Sequence, residues 1–156
     1  MTHPNLHATP NVLKQHFEKP GGRPLDRLVS QAKERIGNHR AETARAVDEM
    51  IRQLGQLSRQ TGPAEGEEAR TELRKTASEL ASIAALSGQC HVGEVARCLF
   101  ALCQDMQQSG VWNRAFVDLH VVTLKKAANE TDRAQLDEMK TVIEALTDLR
   151  ARLYDK

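Results

Sequence analysis

The stretch TASELASIAALSGQCHVGEVARCLFALCQDM, residues 76–106, decides the fold. Leu73, Ala77, Leu80, Ala81 and Ala84 recur at steps of three and four. Val92, Val95, Ala96, Leu99, Leu102, Cys103 and Met106 do the same. Such spacing places each set on one helix face. The pattern predicts one helix ending near Leu86 and a second beginning at about Val92. The turn Ser87-Gly88-Gln89 between them is short, so the two helices are expected to pack antiparallel.

Working outward, the composition agrees with helix on helix. The 156 residues suffice for one domain with its own core. Aromatic residues are 3% of the chain, so packing falls to aliphatic side chains. No apolar run reaches the ~18 residues of a membrane span. Met1-Thr-His-Pro-Asn-Leu-His7 lacks the charged-then-apolar order of a secretion signal, so the expected compartment is the cytoplasm. Lys and Arg number 22 against 21 Asp and Glu, which leaves no basic excess for nucleic acid.

Residues 1–22 carry Pro4, Pro10, Pro20, Gly21 and Gly22 around the apolar piece Val12–Phe17, and read as a flexible tail. Residues 23–156 read as a single helical-bundle domain. Pro24 suits a first helical turn. Leu25, Leu28, Val29, Ala32 and Ile36 follow in helical spacing. Gly37-Asn38 predicts a kink or break, after which Ala41, Ala44, Val47, Met50 or Ile51, Leu54 and Leu57 resume. Thr61–Gly66 reads as a loop.

Ser109-Gly110 stops the second helix of the hairpin. Val111 and Trp112 are expected to open the next, with Phe116, Leu119, Thr123 and Ala127 inside. Thr131 or Asp132 is a cap candidate for a last helix. That helix carries Leu136, Met139, Val142 or Ile143, Leu146, Leu149 and Leu153, a stripe for the core or for a second copy. No strand pattern occurs. The expectation is an all-α antiparallel bundle of five or six helices.

Few residues offer chemistry. His120 falls beside Phe116, Thr123 and Ala127, where an imidazole packs and hydrogen-bonds rather than reacts. His91 falls in the joining turn, expected exposed. Cys90, Cys98 and Cys103 match neither zinc nor disulfide spacing and read as reduced core thiols. Lys75 and Glu79 stand four apart, as a surface ion pair does. There is no phosphate loop, nucleophile elbow or metal pattern, so no cofactor and no metal are expected.

The hairpin resembles the centre of a histidine phosphotransfer (Hpt) bundle. In such bundles an exposed His on the first helix is followed three residues later by Lys, then a small residue and a Gly-containing turn. Here the positions open to that His hold Ser78, Ala81 or Ser82. The Lys positions hold Ala81, Ala84 or Ala85. The resemblance therefore implies a four-helix core without its phosphoacceptor.

Three further pieces resemble the CheE-type proteins encoded with alphaproteobacterial chemotaxis genes. They are Lys19-Pro-Gly-Gly-Arg-Pro-Leu-Asp-Arg-Leu-Val-Ser-Gln-Ala32, Val95-Ala-Arg-Cys-Leu-Phe-Ala-Leu-Cys103, and Gly110-Val-Trp-Asn-Arg-Ala-Phe-Val-Asp-Leu-His-Val-Val-Thr-Leu-Lys125. The resemblance implies a part in chemotaxis or two-component signalling. The expected role is a non-catalytic adaptor that binds a response-regulator receiver domain, or another chemotaxis protein. Arg74, Lys75, Ser78, Glu79 and Ser82 are the expected contact residues. The alternatives are a histidine phosphotransferase using His120 or His91, and a homodimer formed through the last helix.

Overall fold

The computed structural model describes residues 25–61, 66–129 and 133–154. Within them lie five helices and no strand: α1 Leu25–Gln60, α2 Glu67–Ser87, α3 Cys90–Ser109, α4 Arg114–Asn129 and α5 Arg133–Tyr154. The fold is an all-α bundle. No described helix is long and apolar enough to cross a membrane. The expected tail, the 62–65 part of the loop, the Thr131 or Asp132 cap and the Leu136 side chain lie outside the described residues.

The chain divides between Gly37 and Asn38 into two units. In the first, residues 25–37 are helical, and 26–37 are largely exposed, Leu28, Val29 and Ile36 included. In the second, Val47, Ile51 and Leu54 of α1 enter the core. The break expected at Gly37-Asn38 does not occur, because α1 runs through it. Nothing lies within 4 Å of a Cβ placed on Gly37. An exposed helical glycine costs only about 1 kcal/mol relative to alanine, too little to stop a helix of 36 residues.

The hairpin stripes sit where their spacing puts them. Leu73, Ala77, Leu80, Ala81 and Ala84 of α2 are buried, as are Val92, Val95, Ala96, Leu99, Leu102, Cys103 and Met106 of α3. Each large aliphatic side chain so placed contributes about 1.5–3 kcal/mol of transfer free energy. Gly88, at φ 82°, ends α2 in the left-handed region. Its N–H donates to the Ala85 carbonyl at 3.3 Å and that of Gln89 to Ala84 at 2.9 Å. These two bonds form a Schellman motif.

α2 and α3 come very close at Gly93. A Cβ there would stand 3.3 Å from the Ala81 carbonyl oxygen and 3.7 Å from the Ala84 Cβ. α3 is the hub: it packs on α2, α4 and α5. Arg150 of α5 donates to Asp105 of α3 at 2.6 Å, and Cys98 meets Thr147 at 3.3 Å. The α5 stripe turns inward, with Met139 and Leu146 buried and Val142 and Ile143 packed on the core. Among the described residues of that stripe, Leu153 is exposed.

α4 begins later than its apolar pattern suggests. Val111 is exposed, and Asn113 caps the helix by accepting the Ala115 N–H at 3.0 Å. Its inner face is Val117, His120, Val121, Thr123, Leu124 and Ala127. Leu119, expected inside, is exposed, while Phe116 is half-buried. A part-buried tie joins α4 to α1. Ser58 at the end of α1 donates its hydroxyl to Asp118, whose other oxygen takes Arg114 Nε at 3.4 Å.

The Gly93 contact predicts opposite effects of two glycine replacements. Gly93→Val forces side-chain carbons against the α2 backbone and is expected to destabilise by about 2 kcal/mol or more. Gly37→Ala, in open space, is expected to stabilise by about 0.5–1 kcal/mol. Urea unfolding midpoints of the two variants against the wild-type chain measure both.

Candidate functional site

The α2–α3 hairpin carries two concavities on its solvent side. The first is a shallow groove between Ser78, Ala81, Ser82 and Ala85 of α2 and Arg97 and Phe100 of α3. Small side chains on α2 leave it open, and half-buried Phe100 gives it an apolar wall. The Ser82 hydroxyl donates back to the Ser78 carbonyl at 3.2 Å.

The second is a cavity of about 220 Å³ nearer the start of α2. Arg70, Thr71 and Arg74 line it from α2, Cys103, Met106 and Gln107 from α3, and Gly110 and Trp112 from the turn that follows. Arg74 Nη1 donates to Gln107 Oε1. The Arg70 guanidinium lies over the Trp112 ring, 5.1 Å from its centroid, a cation–π contact worth about 0.5–1 kcal/mol at such a site. Arg70 also faces Glu67 at 3.7 Å. The indole N–H of Trp112 is buried with no hydrogen-bond partner among the described residues. Burial pushes the Cys103 thiol up to about 12, and the Arg74 charge opposes this only in part, so the sulfur stays protonated and neutral.

The five expected contact residues thus separate. Ser78 and Ser82 line the groove, Arg74 lines the cavity, and Lys75 and Glu79 are exposed outside both. Lys75 lies 4.0 Å from Glu72, so it leans toward that carboxylate rather than the expected Glu79. Sequence reasoning missed the cavity altogether. Arg70 and Arg74, four apart on one helix face, were its only signal, and Trp112 reads from sequence as a core residue.

His120 is 2% exposed. Its Nδ1 bonds the Phe116 carbonyl at 2.7 Å. A carbonyl only accepts, so Nδ1 carries the proton and Nε2 holds the lone pair. That Nε2 is buried with no partner among the described residues. Burial lowers the imidazole pKa below its ordinary 6.5, and the Phe116 bond opposes this weakly. His91 is not in the joining turn. It occupies the first turn of α3, with a side chain 18% exposed and Nδ1 3.3 Å from Glu94.

The three thiols do not share a core. Cys103 is buried, Cys98 half-buried and Cys90 exposed. Among the described residues no group of three or more His, Cys, Asp or Glu could hold a metal ion. No protein-family model, curated protein or solved structure matches the chain. The functional reading therefore stands on these residues.

His120 makes stability pH-dependent. Its folded pKa is lower than that of the unfolded chain, so the unfolded chain takes up the proton first on acidification. The contribution is fully present above about 6.5 and is lost as pH falls from there through the lower folded value. His120→Gln removes this titration. Below pH 6.5 the wild-type chain is expected to lose stability faster than the variant, by up to about 1.4 kcal/mol per pH unit. Urea unfolding across a pH series checks it.

Proposed function

We propose that this chain is a non-catalytic protein of chemotaxis or two-component signalling. It binds a receiver domain, or another signalling protein of that system, through the outer face of the α2–α3 hairpin. One observation carries the reading. The open groove presents Ser78 and Ser82 with Arg97 and Phe100 beside them, where the Hpt resemblance places a reactive imidazole.

A partner helix can lay its ridge between small residues, because they let backbones approach. Phe100 offers it an apolar anchor, and Arg97 with Lys75 favours an acidic rim on the partner. Arg74, Lys75, Ser78, Glu79 and Ser82 are the contact residues proposed. With no accessible imidazole on this face, the chain holds its partner and changes that partner's availability. It does not pass on a phosphoryl group. The buried position of His120 and the Glu94 contact of His91 support the same reading over a phosphotransferase.

Calorimetric titration against the receiver domains of the same organism tests the proposal. A saturable complex with at least one receiver is expected. Ser82→Arg, at an exposed position, fills the groove and is expected to weaken that complex at least about tenfold, the cost of one misplaced buried charge at an interface. Binding to no receiver removes the proposal. Incubation with a phosphorylated receiver or acetyl phosphate is expected to leave no acid-labile label on the chain. A label that disappears in His120→Ala reverses the assignment in favour of phosphotransfer.

A further inference from the structure

Residues 26–37 of α1 leave an apolar stripe in solvent. Leu28 is 45% exposed, Val29 44% and Ile36 55%, and Ala32 is exposed between them. At 3.6 residues per turn, Val29, Ala32 and Ile36 fall on one line down the helix. Leu28 and Arg35 flank that line on one side, and Asp26 and Lys33 on the other. Arg27 and Glu34 fall on the opposite face. A contiguous stripe of this kind marks an interaction surface.

The charges of this segment say what covers it. Elsewhere the helices pair their charges internally, as in Glu49 with Arg52, Glu72 with Lys75 and Asp137 with Lys140. Within residues 26–37 neither Asp26 nor Lys33 has an opposite charge three or four places away. Neither is ion-paired among the described residues.

We infer that this face pairs with the same face of a second copy of the chain, antiparallel about a two-fold axis between Ser30 and Gln31. In that register Val29 packs on the second copy's Ala32, and Ile36 faces its position 25. Asp26 meets the second copy's Lys33, and Lys33 meets its Asp26, so one register completes both ion pairs. Leu28 lies along the aliphatic stem of the second copy's Arg35. A parallel pairing sets Lys33 against Leu28 and offers Asp26 no cation in this segment. The paired stretch is about 18 Å long at 1.5 Å per residue. That is short for an interface covering about 800 Å² of each partner, so the dimer is weak and dissociates on dilution.

Sedimentation equilibrium of the full chain, from micromolar to millimolar concentration, tests this. The mass is expected to rise from that of one chain, 17.4 kDa, toward that of two. Ile36→Asp, checked by circular dichroism for retained helix, is expected to weaken the association at least about tenfold. Asp26→Lys alone and Lys33→Asp alone each bring like charges together, and each is expected to weaken it about tenfold. An equal mixture of those two variants is expected to associate again, because the mixed dimer regains both ion pairs. A mass of one chain at every concentration overturns the inference. So does association that survives Ile36→Asp, which moves the contact to another surface such as exposed Leu153 on α5. A mixture that associates no better than its components overturns it as well. No receiver domain enters these measurements, so this inference and the proposed function stand or fall separately.

Discussion

The contact between Gly93 and the α2 backbone is the constraint on which the rest of the bundle depends. An oxygen 3.3 Å from the place of a missing Cβ leaves no space for any other residue without a shift. Around it Ala77, Ala81, Ala84 and Ala96 keep both helix surfaces thin, and all are buried. In a chain so poor in aromatics, dispersion contacts must come from close approach of small and aliphatic groups. The same closeness shapes the surface. It brings Arg74 within reach of Gln107 and sets Ser78 and Ser82 across from Arg97 and Phe100.

A second layer of order comes from buried polar groups, which bond one another or the carbonyls of their own helix. Ser58 gives its hydroxyl to Asp118 and its carbonyl to Thr61 Oγ1 at 2.8 Å. Thr123 donates to the Leu119 carbonyl at 2.9 Å. His120 satisfies one nitrogen on Phe116 and leaves the other buried and bare. A bare acceptor costs about 1–3 kcal/mol, and charging the ring in that place costs more. Of these ties only Ser58–Asp118 joins α4 to another helix, while the place of His120 in the core keeps its imidazole neutral and enclosed.

How legible the fold was depended on how one-sided each helix is. In α2 and α3 the apolar residues occupy one stripe, and every residue read as inward from that stripe is buried. In α4, Val117, Leu119, Val121, Val122 and Leu124 surround much of the helix, so periodicity leaves its rotation open by a residue. The Ser58–Asp118 bond, which joins positions sixty apart, resolves it and has no local signature. The break at Gly37 fails to form for a different reason. A glycine breaks a helix only when tertiary structure or a cap makes use of its freedom, and at Gly88 and Gly110 a positive φ does so. The groove was partly legible, since Ser78 and Ser82 were singled out. The cavity was not, because Gln107 and Trp112 come to Arg74 only through the hairpin and the turn after it.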